Sequence, residues 1–186
     1  MGETVVSVCR GTPRDVPHEG GFLRTAIFKA PAAGPVRVGR LGLEGDSQAD
    51  ARHHGGPDRA LLVTSATHYP RWAAFLGRDL EPGQFGENLT VSRAEEGEVR
   101  VGDTFRCGAA VVQVVKPRGP CFKIGVRVGN PAIVDAYLAS GRWGFYLRVL
   151  EEGLVAAGDP WTPLDSDPAA PLLSEVIAER MRAKRG

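Results

Sequence analysis

Cysteine is scarce in this chain of 186 residues: there are three thiols, at 9, 107 and 121, an odd number with no CxxC spacing. That pattern argues against a disulfide framework and against a thiolate zinc site. Charge of one sign is lacking too, since 23 Lys and Arg stand against 22 Asp and Glu for a formal net charge of +1. Nucleic acid and membrane surfaces are therefore not expected as partners. No apolar run approaches the roughly 20 residues that span a bilayer. The N-terminus, MGETVVSVCRGTPRD, carries an acid at position 3 and only a short apolar run, unlike a secretion signal. The expected compartment is the cytoplasm.

What is present points to a folded β-rich domain. With 42% hydrophobic and 24% charged residues, the chain can bury a core without covalent staples. Its 24 Gly and 14 Pro are dispersed and punctuate short β-branched runs. Eight such runs read as strands: TVVSVC, LRTAIFKA, RALLVT, GENLTV, EVRVGDTFRC, AAVVQVVK, GFYLRVLEEG and GLVAAGD. The expectation is a mainly β, α+β architecture, barrel or sandwich, over residues 1–162. Two short helices are predicted at 65–76 and 131–140. In the second, Ile133, Val134, Tyr137 and Leu138 recur at helical spacing behind an early proline. PLDSDPAAP, at 163–171, reads as a linker before a C-terminal helix that completes the segment 163–186.

Cys121, in KPRGPCFKIG, has the most distinctive surroundings of the three thiols. Arg118 precedes it by three residues, Lys123 follows by two, and Pro117 and Pro120 stiffen the backbone. Neighbouring cations favour the thiolate, which is both the nucleophile and the metal-binding form. The plainer alternative is a small buried hydrophobe. Cys9, in an alternating strand, and Cys107, at a strand end, read as packing residues.

The segment GLEGDSQADARHHGGPDRALL concentrates glycines and polar residues. It is a surface loop or a binding loop. Gly55 and Gly56 permit positive φ and close ligand approach, while His53, His54, Asp58 and Arg59 supply titratable and anion-binding groups. Adjacent histidines in an extended segment face opposite ways, so a histidine zinc site is not expected here. His68 belongs to the first predicted helix and is expected at its surface. GQFGENL presents Glu87 and Asn88 on turn material, and no P-loop lysine follows any glycine pair.

Taken in order, GLEGDSQAD, HHGGPDRAL, HYPRW, FGENL, VGDTFRCG and PRGPCFK resemble the signature blocks of the MOSC family, named for the C-terminal domain of molybdenum cofactor sulfurases. The resemblance is to its short stand-alone bacterial members, the YiiM-like group. It implies a MOSC-type β-barrel holding a molybdenum cofactor of the molybdopterin type, with Cys121 as the metal ligand. The cofactor's phosphate would need cationic and backbone N–H partners, for which Arg118, Lys123, Arg59, Gly55 and Gly56 are candidates. Asn88 and Lys29 also match family blocks and are expected at the pocket. The implied reaction is reduction of N-hydroxylated compounds, such as hydroxylaminopurines and amidoximes, with His54 as a proton donor. No flavin or iron–sulfur motif is visible, so electrons would come from a separate flavin or iron–sulfur reductase. The alternative is a sulfur carrier or cofactor carrier that uses Cys121 as persulfide or ligand. The family's usual C-terminal extension has room here only as a single helix. Whether the chain is a monomer or a homodimer stays open.

Overall fold

Thirteen strands and four α-helices form among the described residues of the computed structural model, which are 2–49 and 55–183. The strands are β1 Val5–Arg10, β2 Arg14–His18, β3 Gly21–Thr25, β4 Ala30–Pro31, β5 Val36–Gly39, β6 Gly42–Leu43, β7 Leu61–Ser65, β8 Leu89–Val91, β9 Thr104–Cys107, β10 Ala110–Pro117, β11 Phe145–Glu151, β12 Gly153–Val155 and β13 Trp161–Asp165. The helices are α1 Tyr69–Leu76, α2 Lys123–Val128, α3 Ile133–Ser140 and α4 Leu173–Ala183, with one-turn 3-10 segments at Pro57–Arg59 and Ala66–His68. No described helix is long and apolar enough to cross a membrane.

The main sheet has eight strands in the order β13-β9-β10-β11-β7-β8-β1-β4. All its neighbours pair antiparallel except β7 and β8, which run parallel. This is the mainly β, α+β architecture expected, but its ladder does not close into a complete barrel. Instead the chain just before β1 returns to the chain just before β13 at a single bridge, Thr4 to Pro160. Two smaller sheets, β12-β5-β6 and the β2-β3 hairpin, complete the strands.

Period-two alternation decides what faces what. Leu61 and Val63 of β7, with Phe145 and Leu147 of β11, enter the larger core beside Val112, Val114, Leu89 and Trp161. Truncating such a residue, Phe145 to Ala for instance, costs about 3–5 kcal/mol. Leu62 and Tyr146 are cross-strand partners on the opposite face. That face is covered in its turn, as expected for a strand with every residue buried.

A second core gathers Trp72 of α1, Ile124 of α2, Ile133 and Tyr137 of α3, Ile177 of α4, and Phe85. Trp72 stacks on Tyr137 with ring centroids 4.9 Å apart. Several boundaries differ from the sequence expectations. LRTAIFKA is not one strand, because β3 ends at Thr25 and pairing resumes at Ala30. The stretch predicted as linker from residue 163 begins inside β13, which pairs with β9. Helix α2 and the β2-β3 hairpin were not anticipated.

Candidate functional site

One cleft collects most of the residues singled out from the sequence. Cys121, Arg118, Lys123, Arg59, Asn88 and Lys29 all line it. Strand order explains the convergence of residues so far apart in sequence. Strand β10 ends at Pro117, the next residue is held by its backbone N–H donating to Gly144 O at 2.9 Å, and Cys121 O accepts from Ile124 N at the start of α2. Gly144 is required there: its φ is +71°, and a Cβ would meet Val63 O at 2.3 Å. Cys121 is thereby placed at a half-exposed corner, whereas Cys9 and Cys107 are buried. Burial pushes both buried thiols up to about 12, so they are inert packing residues, as their sequence context predicted.

Arg118 is only 4% exposed, and its Nη1 has no hydrogen-bond partner among the described residues. Its guanidinium lies 5.8 Å from the centroid of the Tyr137 ring. A buried cation with an unsatisfied donor, aimed beside a reachable thiol, suits an anionic ligand. Tyr146 of β11 joins it in the cleft; burial raises its phenol, the Cys121 side adds to that, and Arg118 and Arg59 act against it.

Lys29 and Asn88 are at the cleft but are committed to protein partners. Lys29 Nζ lies 2.5 Å from both carboxylate oxygens of Asp46. Desolvation lowers its pKa, and Asp46 opposes that shift. Asp46 Oδ1 also accepts from Gly11 N at 2.8 Å, and its Oδ2 from Asn88 Nδ2 at 2.9 Å. The Asn88 amide also donates to Cys9 O at 3.3 Å and accepts from Leu62 N at 3.1 Å. Asn88 therefore ties β1, β7 and the Asp46 loop together and shapes the wall. The adjoining Gly86 has φ +78°, and a Cβ there would meet Ile27 Cγ1 at 2.8 Å.

Other expectations fall elsewhere. Gly56 does adopt positive φ, at +95°, but neither Gly55 nor Gly56 is among the residues that line the cleft. His53 and His54 lie outside the described residues. His68 is not at a helix surface: it is fully buried in the 3-10 turn ahead of α1, with Nε2 3.4 Å from carboxylate oxygens of both Glu95 and Glu96. The physical reason is that those carboxylates, on the loop after β8, offer a partner that solvent would otherwise supply. Glu95 also receives Arg142, at 3.4 Å, and the Thr67 hydroxyl, so these contacts tie loops together. Glu87 is buried as well, where it accepts the N–H groups of Gly83 at 2.7 Å and Phe85 at 3.0 Å and the Tyr69 hydroxyl.

Sequence reasoning did not single out Asp46, Gln48, Thr25 or Tyr146. The signal for Asp46 and Gln48 was their place inside GLEGDSQAD; Tyr146 sits in a plain strand pattern and offered none.

The MOSC domain model matches residues 50–162. This chain belongs to the MOSC domain family. YflK of Bacillus subtilis is 46% identical over 155 residues, which cover 83% of this chain and 70% of that protein. A protein of Gibberella moniliformis named as a reductase is 36% identical over 146 residues, covering 75% of this chain but only 26% of its own length. The crystal structure of YiiM from Geobacillus stearothermophilus superposes with a TM-score of 0.81 at 30% identity, over 99% of this chain and 86% of that one. The matched MOSC region contains Arg59, Asn88, Arg118, Cys121, Lys123 and Tyr146 of the cleft; Lys29 and Asp46 precede it.

Proposed function

We propose that the protein holds a molybdenum cofactor through Cys121 and reduces N-hydroxylated compounds, hydroxylaminopurines and amidoximes among them. The product is the amine or amidine, and electrons come from a separate flavin or iron–sulfur reductase. The observation that carries this proposal is a half-exposed thiol in one cleft with a buried guanidinium whose Nη1 has no hydrogen-bond partner among the described residues. Membership of the MOSC family and the relative named as a reductase support it.

A soft thiolate suits such a metal, and Arg118, Lys123 and Arg59 offer cations for the phosphate of the pterin tail. Bound there, the cofactor supplies two-electron redox chemistry and removal of oxygen from the substrate. The chain itself supplies position and protons. Leu62 and Ile27 give the cleft apolar wall, and Lys29, Asp46 and Asn88 hold that wall in place. Reduction consumes two electrons and two protons as the N–O bond breaks and water leaves. Tyr146, kept as a phenol by burial, has a proton to give toward the departing oxygen. His54, which directly precedes the glycine pair in the sequence, is the second proton carrier.

Expression in a host that makes molybdenum cofactor, followed by elemental analysis, tests the ligand. About one molybdenum per chain is expected in the native protein and none in Cys121→Ser; equal metal in the two, or none in either, overturns it. With an artificial reductant, the loaded protein is expected to convert 6-hydroxylaminopurine to adenine. Absence of the amine defeats the reductase assignment.

A further inference from the structure

A second set of cations stands just beyond the cleft, and the cofactor proposal does not use it. Arg14 places its guanidinium 3.9 Å from the centroid of the Phe28 ring, and Arg127 places its own 5.0 Å from the same centroid. Stacking on an aromatic face holds a guanidinium in place while leaving its N–H edge available. Two like charges on one ring repel, however. Desolvation is the largest influence lowering the pKa of Arg127, the Arg14 charge comes next, and Arg78 adds to it against the opposing Glu87. Nε of Arg127 is buried and has no hydrogen-bond partner among the described residues.

The neighbouring carboxylates are committed elsewhere. Asp15, next to Arg14, pairs with Arg24 at 3.3 Å. Glu87 is turned to the Gly83 and Phe85 N–H groups and to the hydroxyls of Tyr69 and Thr90. Two like charges held on one ring, with Arg127 partly desolvated, are unfavourable until an anion joins them. The guanidinium fork matches a phosphate bidentately, as an ammonium does not.

Both arginines adjoin residues of the cleft. Arg14 is the cross-strand partner of Thr25, and Thr25 lines the cleft. Arg127 follows Lys123, another lining residue, by four positions on α2, which puts the two on one helix face. Arg127 thus leaves the helix about one turn, roughly 6 Å along its axis, beyond Lys123.

We propose that Arg14 and Arg127 form an anion subsite at the rim of the cleft for a phosphate monoester on the substrate, so that the compound reduced is a nucleotide rather than a free base. The reduced end of that substrate rests on the function proposed above; the phosphate subsite does not.

Binding of adenosine 5′-monophosphate and of adenosine to the full chain, compared by calorimetry at low ionic strength, tests the subsite. The monophosphate is expected to bind at least about tenfold more tightly, a difference of about 1.4 kcal/mol. That advantage is expected to shrink severalfold in Arg127→Gln and to vanish in Arg14→Gln/Arg127→Gln, with thermal unfolding confirming that both variants fold. Equal binding of the two probes, binding of neither, or an advantage that survives in the double variant overturns the proposal. So does an advantage that survives there but is lost in Arg118→Gln, which would assign the phosphate to the cofactor's anchor. A failed N–O reduction assay leaves this binding result standing, and failed nucleotide binding leaves reduction of free bases standing.

Discussion

Lys29 and Arg118 are two buried cations of one cleft, each 4% exposed, with opposite fates. Lys29 meets a carboxylate of its own chain, Asp46, which a backbone N–H and the Asn88 amide hold in turn. Arg118 meets an aromatic ring and leaves Nη1 without a partner among the described residues. A buried charge is tolerated when it is paired and hydrogen-bonded, and is costly otherwise. Lys29 therefore belongs to the architecture of the wall, while Arg118 keeps a donor that, on the function proposed above, would receive an anion from the cleft. Family resemblance placed both at the pocket, and only their partners separate the two roles.

The largest effect is expected at the paired cation. Lys29→Met strands the Asp46 carboxylate, and urea unfolding should show a loss of about 3–5 kcal/mol. Lys29→Met/Asp46→Leu should recover most of that loss; if it recovers none, the ion pair is not what Lys29 contributes. Next comes chemistry in the cleft. Tyr146→Phe is expected to lower kcat about a hundredfold with little change in KM, in the range of general acid–base contributions. Because burial raises the Tyr146 phenol, the alkaline decline of activity in the native protein should lie above the usual phenol range, and the variant should lose that limb.

The thiols sharpen the contrast between wall and cleft. At pH 8 a disulfide reagent should label Cys121 alone, with Cys9 and Cys107 reacting only after unfolding. The same two buried thiols make stability depend on alkaline pH. Their folded pKa of about 12 lies above the ordinary thiol value near 8.5, so between these values the native state binds more protons than the unfolded chain. Their contribution is fully present below the ordinary value and is lost as pH rises toward the folded one. Urea midpoints at pH 8 and pH 10.5 should fall further apart in the native protein than in Cys107→Ala.

Much of the fold was legible because β1, β7, β10 and β11 are short β-branched or apolar runs bounded by turn residues, and their buried positions enter the larger core. The hairpin β2-β3 escaped notice because Arg14–His18 is largely polar and paired only with its neighbour, so no buried face wrote a pattern into it. Helix α2 was hidden by its length, six residues, too few for periodicity to register. Within the site, Cys121 and Arg118 stood out through local charge and proline. The Lys29–Asp46 pair spans 17 positions and the Asn88–Asp46 contact 42, and contacts of that separation follow from topology rather than from any local signal. His68 was misplaced for the same reason, since its carboxylate partners lie 27 and 28 positions away.

The smallest expected effect is the one that breaks or sustains the comparison. Arg118→Met removes a charge that has no ion-pair partner among the described residues and replaces its stem with an apolar chain of similar reach. In cofactor-free protein the change should alter unfolding stability by less than about 1 kcal/mol, or raise it, since no ion-pair partner among the described residues is left stranded. The same variant, expressed with cofactor supply, should retain far less pterin after gel filtration than the native protein. A loss of stability as large as that of Lys29→Met would show that Arg118 is paired within the chain after all, and the two cations would then be alike. Full retention of pterin would remove Arg118 from the phosphate and leave Lys123 and Arg59 to hold it.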